Sequence, residues 1–256
     1  MAGLTPDQIA FFQENGYLLV GEVLTDEELE ILRERAEWIA SGEAAHIPRE
    51  CLQVEPRIAR GELTADNFIL SLRKISHLAW HDDVMLAHAC RPSIAEKIVS
   101  LLGHDVRLYQ DQLFMKPPRV GSRQPYHQDQ PLGFYIDPPD RMVTCWTALD
   151  DVTLENGCLR VIPGTHKSGV LPPEVIQEYE QKAQNGQLDG EVPLVMKAGE
   201  CSLHHGHLLH SSHPNLSGKR RRGYATHYVS ARCRYTGPGP RPSFPLVRGE
   251  AIPGCL

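Results

Sequence analysis

The stretch QPYHQDQ, residues 124–130, sets a histidine and a carboxylate two apart, His127 and Asp129. In a strand, side chains two apart point to the same face, so both could reach one ion. The same pair could instead transfer a proton, or be two polar residues of a loop. Two ligands are too few for a stable metal site, and the chain holds a source for a third. Five of its 13 histidines, His204, His205, His207, His210 and His213, fall between residues 204 and 213. Two histidines and one carboxylate on one face of an octahedral ion leave three positions open. That is the facial triad of non-haem Fe(II) oxygenases, where a cosubstrate and O2 bind side by side. The spacing does not choose among the five.

Such a site needs a frame, and the chain can build one. With 256 residues and 41% hydrophobic content it suits a single large folded domain rather than a disordered chain. A net charge of -6 and a pI near 6.1 give no broad basic surface, so nucleic acid is not an expected partner. The seven cysteines are odd in number and form no CxxC pair, which argues against a zinc ribbon or a complete disulfide framework. The N-terminus lacks the basic-then-apolar layout of a signal peptide, and no apolar run is long enough to span a bilayer. The chain ends in GCL rather than a peroxisomal SKL. The expectation is a cytoplasmic protein outside membranes, of undetermined oligomeric state.

The elements read as helices first and strands second. Thr5 with Gln8 and Thr25 with Glu28 form capping boxes. Leu29, Leu32, Ala36 and Ile39 follow the second at helical spacing, YLLVGEVL between the two reads as a strand, and Ser93–Leu102 is a third helix closed by Gly103. After Gly103, VRLYQDQLFMK, RMVTCWTALDDV, GCLRVIPGT, EVPLVMKAGE, CSLHHGHLLH and RRRGYATHYVSA are strand-like runs punctuated by Gly and Pro. This order predicts a β-barrel or sandwich packed against helices. One domain, 1–256, is expected, with a helical part over about 1–103, a barrel core over about 104–232 and an irregular Pro/Gly-rich tail. Residues 172–190 read as a helix-then-loop insertion of the kind that covers a site.

The strings YHQD, WTALDDVTLENGCLRVIPGTHKSG and LLHSSHPNLSGKRRRGYATHY, in that order, resemble the phytanoyl-CoA dioxygenase family. The opening AFFQENGYLLVGEVLTDEEL is similar too, so the resemblance covers most of the chain. It implies a mainly β fold with flanking helices and a double-stranded β-helix (jelly-roll, cupin-like) core. It also implies Fe(II), 2-oxoglutarate and O2 as cofactors and His127 and Asp129 as the first two iron ligands. The family's distal histidine stands five before the asparagine of HSSHPN; Asn215 thus selects His210. His204, His205, His207 and His213 become surface or surrounding residues.

The family's carboxylate-binding arginine, eleven after that histidine, falls on Arg221, whose planar fork suits a carboxylate. Strand alternation supports it, grouping Arg221 with Gly223, Ala225 and His227 and leaving Arg220 and Arg222 as a solvated basic turn. The resemblance further places Ser212, Gln112, Lys74 and Trp146 around the cosubstrate. Gln128 points away from the metal and touches the pocket through its backbone or side chain. The implied reaction oxidises a C–H bond of a small molecule while 2-oxoglutarate becomes succinate and CO2. Related halogenases replace the carboxylate ligand by Ala or Gly, so Asp129 favours hydroxylation. The substrate, an acyl-CoA, an amino-acid derivative or a secondary metabolite, is expected between segments 47–75, 134–140 and 172–190. A 2-oxoglutarate-independent iron enzyme, a cupin-like isomerase or a non-catalytic jelly-roll binding protein are the rivals.

Overall fold

The computed structural model describes residues 2–130 and 132–256. The helices are α1 (Pro6–Asn15), α2 (Asp26–Ala40), α3 (Pro56–Ala59), α4 (Phe68–Ser71), α5 (Asp83–Ala89), α6 (Pro92–Leu102) and α7 (Pro173–Gln184). The strands are β1 (Tyr17–Glu22), β2 (Leu52–Val54), β3 (Leu72–Ser76), β4 (Val106–Phe114), β5 (Gln124–His127), β6 (Ile136–Asp137) and β7 (Met142–Ala148). They continue with β8 (Leu159–Val161), β9 (Val192–Leu194), β10 (Glu200–His205), β11 (His210–Ser212), β12 (Gly223–Ser230), β13 (Arg234–Tyr235) and β14 (Leu246–Arg248). Both capping boxes form: Thr5 and Gln8, and Thr25 and Glu28, each exchange reciprocal bonds between side chain and backbone.

The main antiparallel sheet runs β1-β10-β7-β12-β4-β3-β2, with β14 also on β4, and a smaller sheet runs β5-β11-β8-β9. A cavity opens between them, lined by Trp146 and Gln112 of the main sheet and by His127 and His210 of the small one. This is the expected jelly-roll core. The helical first part also supplies strands to the main sheet: β1, as expected of YLLVGEVL, and the short β2 and β3, which were not expected. The tail is likewise not wholly irregular, since β14 pairs with β4. Strands of three to five residues beside helix caps and prolines carry too little alternation to be read from sequence.

Helices α2, α5 and α6 pack on the outer face of the main sheet. There Leu32, Met85, Ile94 and Ile98 meet Ile75, Leu108, Leu113, Tyr224 and Tyr228, all fully buried or nearly so. Each fully buried aliphatic side chain of this layer contributes roughly 1.5–3 kcal/mol relative to exposure. β4 does not alternate strictly. A register shift opposite His227 and Tyr228 leaves Tyr109 without a partner, and the faces exchange at that bulge. Val106 and Leu108 therefore join the helix-side core, whereas Gln110, Gln112 and Phe114 line the cavity. Insertion 172–190 does not cover the cavity. α7 lies outside β5, where Ile176, Tyr179 and Ala183 pack on Tyr126, Ile162 and Leu209, and Arg123 pairs with Glu180. Among the described residues no helix is long and apolar enough to cross a membrane.

Candidate metal centre and cosubstrate cavity

The two histidines of the clamp are brought together by strand pairing. His127 ends β5 and His210 opens β11, and their Cα atoms are direct partners in the antiparallel register. The rings lie 4.2 Å apart. Each Nδ1 donates to the carbonyl two residues back, His127 to Pro125 at 2.8 Å and His210 to Leu208 at 2.9 Å. That fixes the tautomer and leaves both Nε2 lone pairs for a metal.

Asp129 lies just beyond β5 and completes the set. Its Oδ1 is 3.8 Å from His127 Nε2 and 3.7 Å from His210 Nε2, and the three ligand atoms lie within 4.8 Å of one another. The other oxygen, Oδ2, accepts from Thr144 Oγ1 at 2.9 Å and His204 Nε2 at 3.1 Å. The carboxylate therefore offers one oxygen to an ion while the protein holds the second. Burial alone would push the Asp129 carboxyl up, but the His210 ring, the His204 hydrogen bond and the His227 ring outweigh it and hold it well below its ordinary value. Burial pushes His210 down to about 3 and also lowers His127, which keeps both rings neutral and able to ligate. The donor set, its tautomers and its free lone pairs fit Fe(II).

Arg221 sits at the other end of the cavity, just before β12, and is 3% exposed. Its Nη2 donates to Gly157 O at 2.9 Å, its Nε has no partner among the described residues, and its guanidinium lies over the Trp146 ring at 5.1 Å. Burial lowers it to about 10, so it remains a cation at neutral pH. Gly223 makes this stacking possible, because a Cβ there would stand 1.8 Å from a Trp146 ring carbon. The ENGC turn presents the carbonyl that steadies the arginine. Asn156 Oδ1 accepts from Thr153 N at 2.8 Å and its Nδ2 donates to Asp151 O at 2.7 Å. Gly157 follows at φ +80, with His213 O only 2.2 Å from where a Cβ would stand.

Most of the residues expected at the cosubstrate share this cavity of about 330 Å³: Lys74, Gln112, Trp146, Ser212 and Arg221. Gln128 does not line it. Its Nε2 donates to Gly169 O at 2.9 Å and His207 O at 2.5 Å, and its Oε1 accepts from Leu171 N at 2.8 Å. Those bonds tie the side chain to the loop after β8 and the turn before β11, which corrects the expectation that it touches the pocket. Of the expected pocket segments, 47–75 contributes Arg73 and Lys74 and 134–140 contributes Phe134, whereas 172–190 contributes nothing. Arg220 and Arg222 are not a solvated basic turn. Arg222 forks onto Asp150 through Nε at 2.9 Å and Nη2 at 2.7 Å, and Arg220 pairs with Glu37 at 2.5 Å.

Three participants escaped the sequence. Thr144 shares its face of β7 with Trp146, and alternation could have found it. Alternation sets His227 on the arginine's face without indicating a role; its Nδ1 lies 2.9 Å from Thr144 Oγ1. Lys116 gave no signal. It is 6% exposed, donates from Nζ to Ser212 Oγ at 2.8 Å, and is pushed well below the usual lysine range by burial and then by Arg221. Asn215 holds it there, donating from Nδ2 to Lys116 O at 3.0 Å.

Comparison with known proteins agrees with this geometry. The phytanoyl-CoA dioxygenase (PhyH) family model matches residues 12–223. The human peroxisomal phytanoyl-CoA dioxygenase is 28% identical over 248 residues, 91% of this chain and 70% of that protein. The crystal structure of EctD from S. alaskensis with bound Fe superposes with a TM-score of 0.77 at 25% identity, covering 100% of this chain and 88% of that one. SnoK, a non-heme alpha ketoglutarate dependent carbocyclase from nogalamycin biosynthesis, shares the fold with a TM-score of 0.72 at 20% identity, covering 95% and 96%. With a family match across most of its length, the chain belongs to the phytanoyl-CoA dioxygenase family.

Proposed function

We propose that this protein, an oxygenase of the Fe(II)/2-oxoglutarate class, hydroxylates an unactivated C–H bond of a small organic molecule, releasing succinate and CO2. One observation carries the cosubstrate assignment. Arg221 is buried and has no carboxylate partner among the described residues, yet it faces the same cavity as His127, Asp129 and His210. A buried charge without a counter-ion is costly, and an anionic ligand relieves that cost. A 2-oxoglutarate-independent iron enzyme would have no use for it.

His127, Asp129 and His210 hold the iron, which when bound supplies the site for 2-oxoglutarate and O2 and the oxidising power for the C–H bond. Arg221 receives the distal carboxylate in its fork, with Trp146 as a rigid wall beneath the guanidinium. Ser212 Oγ already accepts from Lys116, so its own proton is free to donate to the same carboxylate. Gln112 and Lys74 line the remaining walls. Lys74 is lowered by burial and by Arg73, which favours an anion beside it. Asp129 occupies the position a halide would need, which supports hydroxylation over halogenation. A cavity of about 330 Å³ is at the small end of ligand sites and suits the cosubstrate with a compact substrate.

The test is an anaerobic titration with Fe(II) and 2-oxoglutarate. A visible charge-transfer band should appear only when both are present, and oxygen should then yield succinate. The substrate's product should gain one oxygen atom and no halogen in chloride buffer. No band and no succinate from an iron-loaded protein would overturn the reading.

A further inference from the structure

Beyond the arginine end, the cavity floor carries a continuous polar row. Gln110 of β4, His227 of β12, Thr144 of β7 and His204 of β10 are direct cross-strand partners, and all four line the cavity. Their hydrogen bonds admit one arrangement of protons. An ionised carboxylate only accepts, so Thr144 Oγ1 and His204 Nε2 both donate to Asp129 Oδ2. A hydroxyl has one proton. Thr144 must therefore accept its second bond, the 2.9 Å contact with His227, and the proton of that bond sits on His227 Nδ1. In the neutral ring this leaves Nε2 with a lone pair. His227 is 3% exposed, and its Nε2 has no partner among the described residues. Its ring is backed by Phe134 at 5.0 Å.

A buried acceptor without a donor is costly, and each one calls for an explanation. The cosubstrate cannot supply the donor, because 2-oxoglutarate is a dianion with acceptors only, and Arg221 lies at the opposite end of the cavity. We propose that His227 is a specificity-determining residue whose Nε2 accepts a hydrogen bond from a hydroxyl or N–H group of the substrate. The substrate then presents a polar donor to this wall, close to the iron ligands, rather than bare hydrocarbon. Gln110, directly opposite on β4, adds an amide that can bind the same group. The proposal rests on the oxygenase reading, which places the substrate in this cavity.

Two measurements test it on the full chain. The first is nitrogen-15 NMR of the histidine rings, with Zn(II) as a diamagnetic metal and 2-oxoglutarate bound. His227 should show a protonated Nδ1 and an unprotonated Nε2; a proton on Nε2 overturns the proposal. The second uses protein loaded with Mn(II) and 2-oxoglutarate under argon. Matched compounds are offered, small alcohols against their methyl ethers and primary amides against their dimethyl amides. Binding near the metal is read from paramagnetic relaxation of ligand protons. The donor-bearing member of a pair should bind about tenfold better, and His227→Phe should erase the preference while cosubstrate affinity is retained. Equal binding of capped and uncapped members, a preference that survives His227→Phe, or no binding by any donor-bearing compound counts against the proposal. Failure of the underlying oxygenase reading would show separately, as absence of 2-oxoglutarate binding to the Mn(II) protein.

Discussion

Arg221 and Arg222 are neighbours in sequence and opposites in structure. Both are largely buried. Arg222 faces the helices and meets Asp150 through Nε and Nη2 and Glu37 through Nη1 at 3.1 Å. Arg221 faces the cavity and meets one backbone carbonyl. The contrast extends along β12: Tyr224 and Tyr228 fill the helix-side core, while Ala225 and His227 form the cavity floor, His227 with a ring nitrogen that has no partner among the described residues. A side chain whose charge is answered within the protein holds the fold. One left open toward the cavity is, on the proposed reading, offered to a ligand.

The largest expected effect separates the two arginines. Arg221→Ala should weaken 2-oxoglutarate binding by about 100-fold or more, since charge-assisted bonds in a desolvated site are lost. The melting temperature of the metal-free protein should stay level or rise, because an unanswered buried charge is gone. Arg222→Ala should do the reverse, costing roughly 1–3 kcal/mol of stability in denaturation and leaving cosubstrate affinity nearly unchanged. Similar affinity losses in both would break the comparison.

Thr144→Val should weaken Mn(II) binding by about tenfold, because it removes a donor that holds Asp129 while keeping the side chain's volume. Calorimetric titration reads this directly. Gly223→Ala should cost about 1–3 kcal/mol through overpacking against Trp146 and weaken cosubstrate binding as the ring is displaced. An affinity unchanged in that variant would show that Trp146 is not part of the cosubstrate wall.

The smallest effect per group is in pH dependence, followed by thermal unfolding of the metal-free protein. Burial pushes His88 and His210 down to about 3, and His205 and His227 down to about 4, from an ordinary 6.5. The unfolded chain takes up these protons first, so stability falls as pH drops below 6.5, by up to ~1.4 kcal/mol per pH unit for each ring. Asp111 opposes this in part. Burial pushes it up to about 6, so between its ordinary 3.8 and that value it contributes stability that is lost as pH rises. Four rings outweigh one carboxyl, and a melting temperature that held constant from pH 6.5 to pH 5 would contradict the balance.

The site was legible in sequence where its signals were local. His127 and Asp129 announce themselves by spacing, and the period of two separates Arg221 from Arg222 without any structure. The helix caps at Thr5 and Thr25 are contained within four residues each. The short strands β2, β3 and β14 were not legible, because their partners lie far along the chain and their own patterns are too brief. The bulge at Tyr109 hid the true faces of β4, so the role of Gln110 could not be read by alternation.

The sequence by itself determined the composition of the clamp, the arginine's side of the strand and, through resemblance, the family. Such features need only neighbouring residues or a repeating period. Tertiary structure decided the rest. It set His210 opposite His127 across two strands, turned Gln128 into a tie between loops, buried Lys116 behind Ser212 and moved α7 off the cavity. It also oriented the protons from Asp129 through Thr144 to His227. Each of these depends on hydrogen bonds or packing between residues distant in the chain, and no local pattern carries that information.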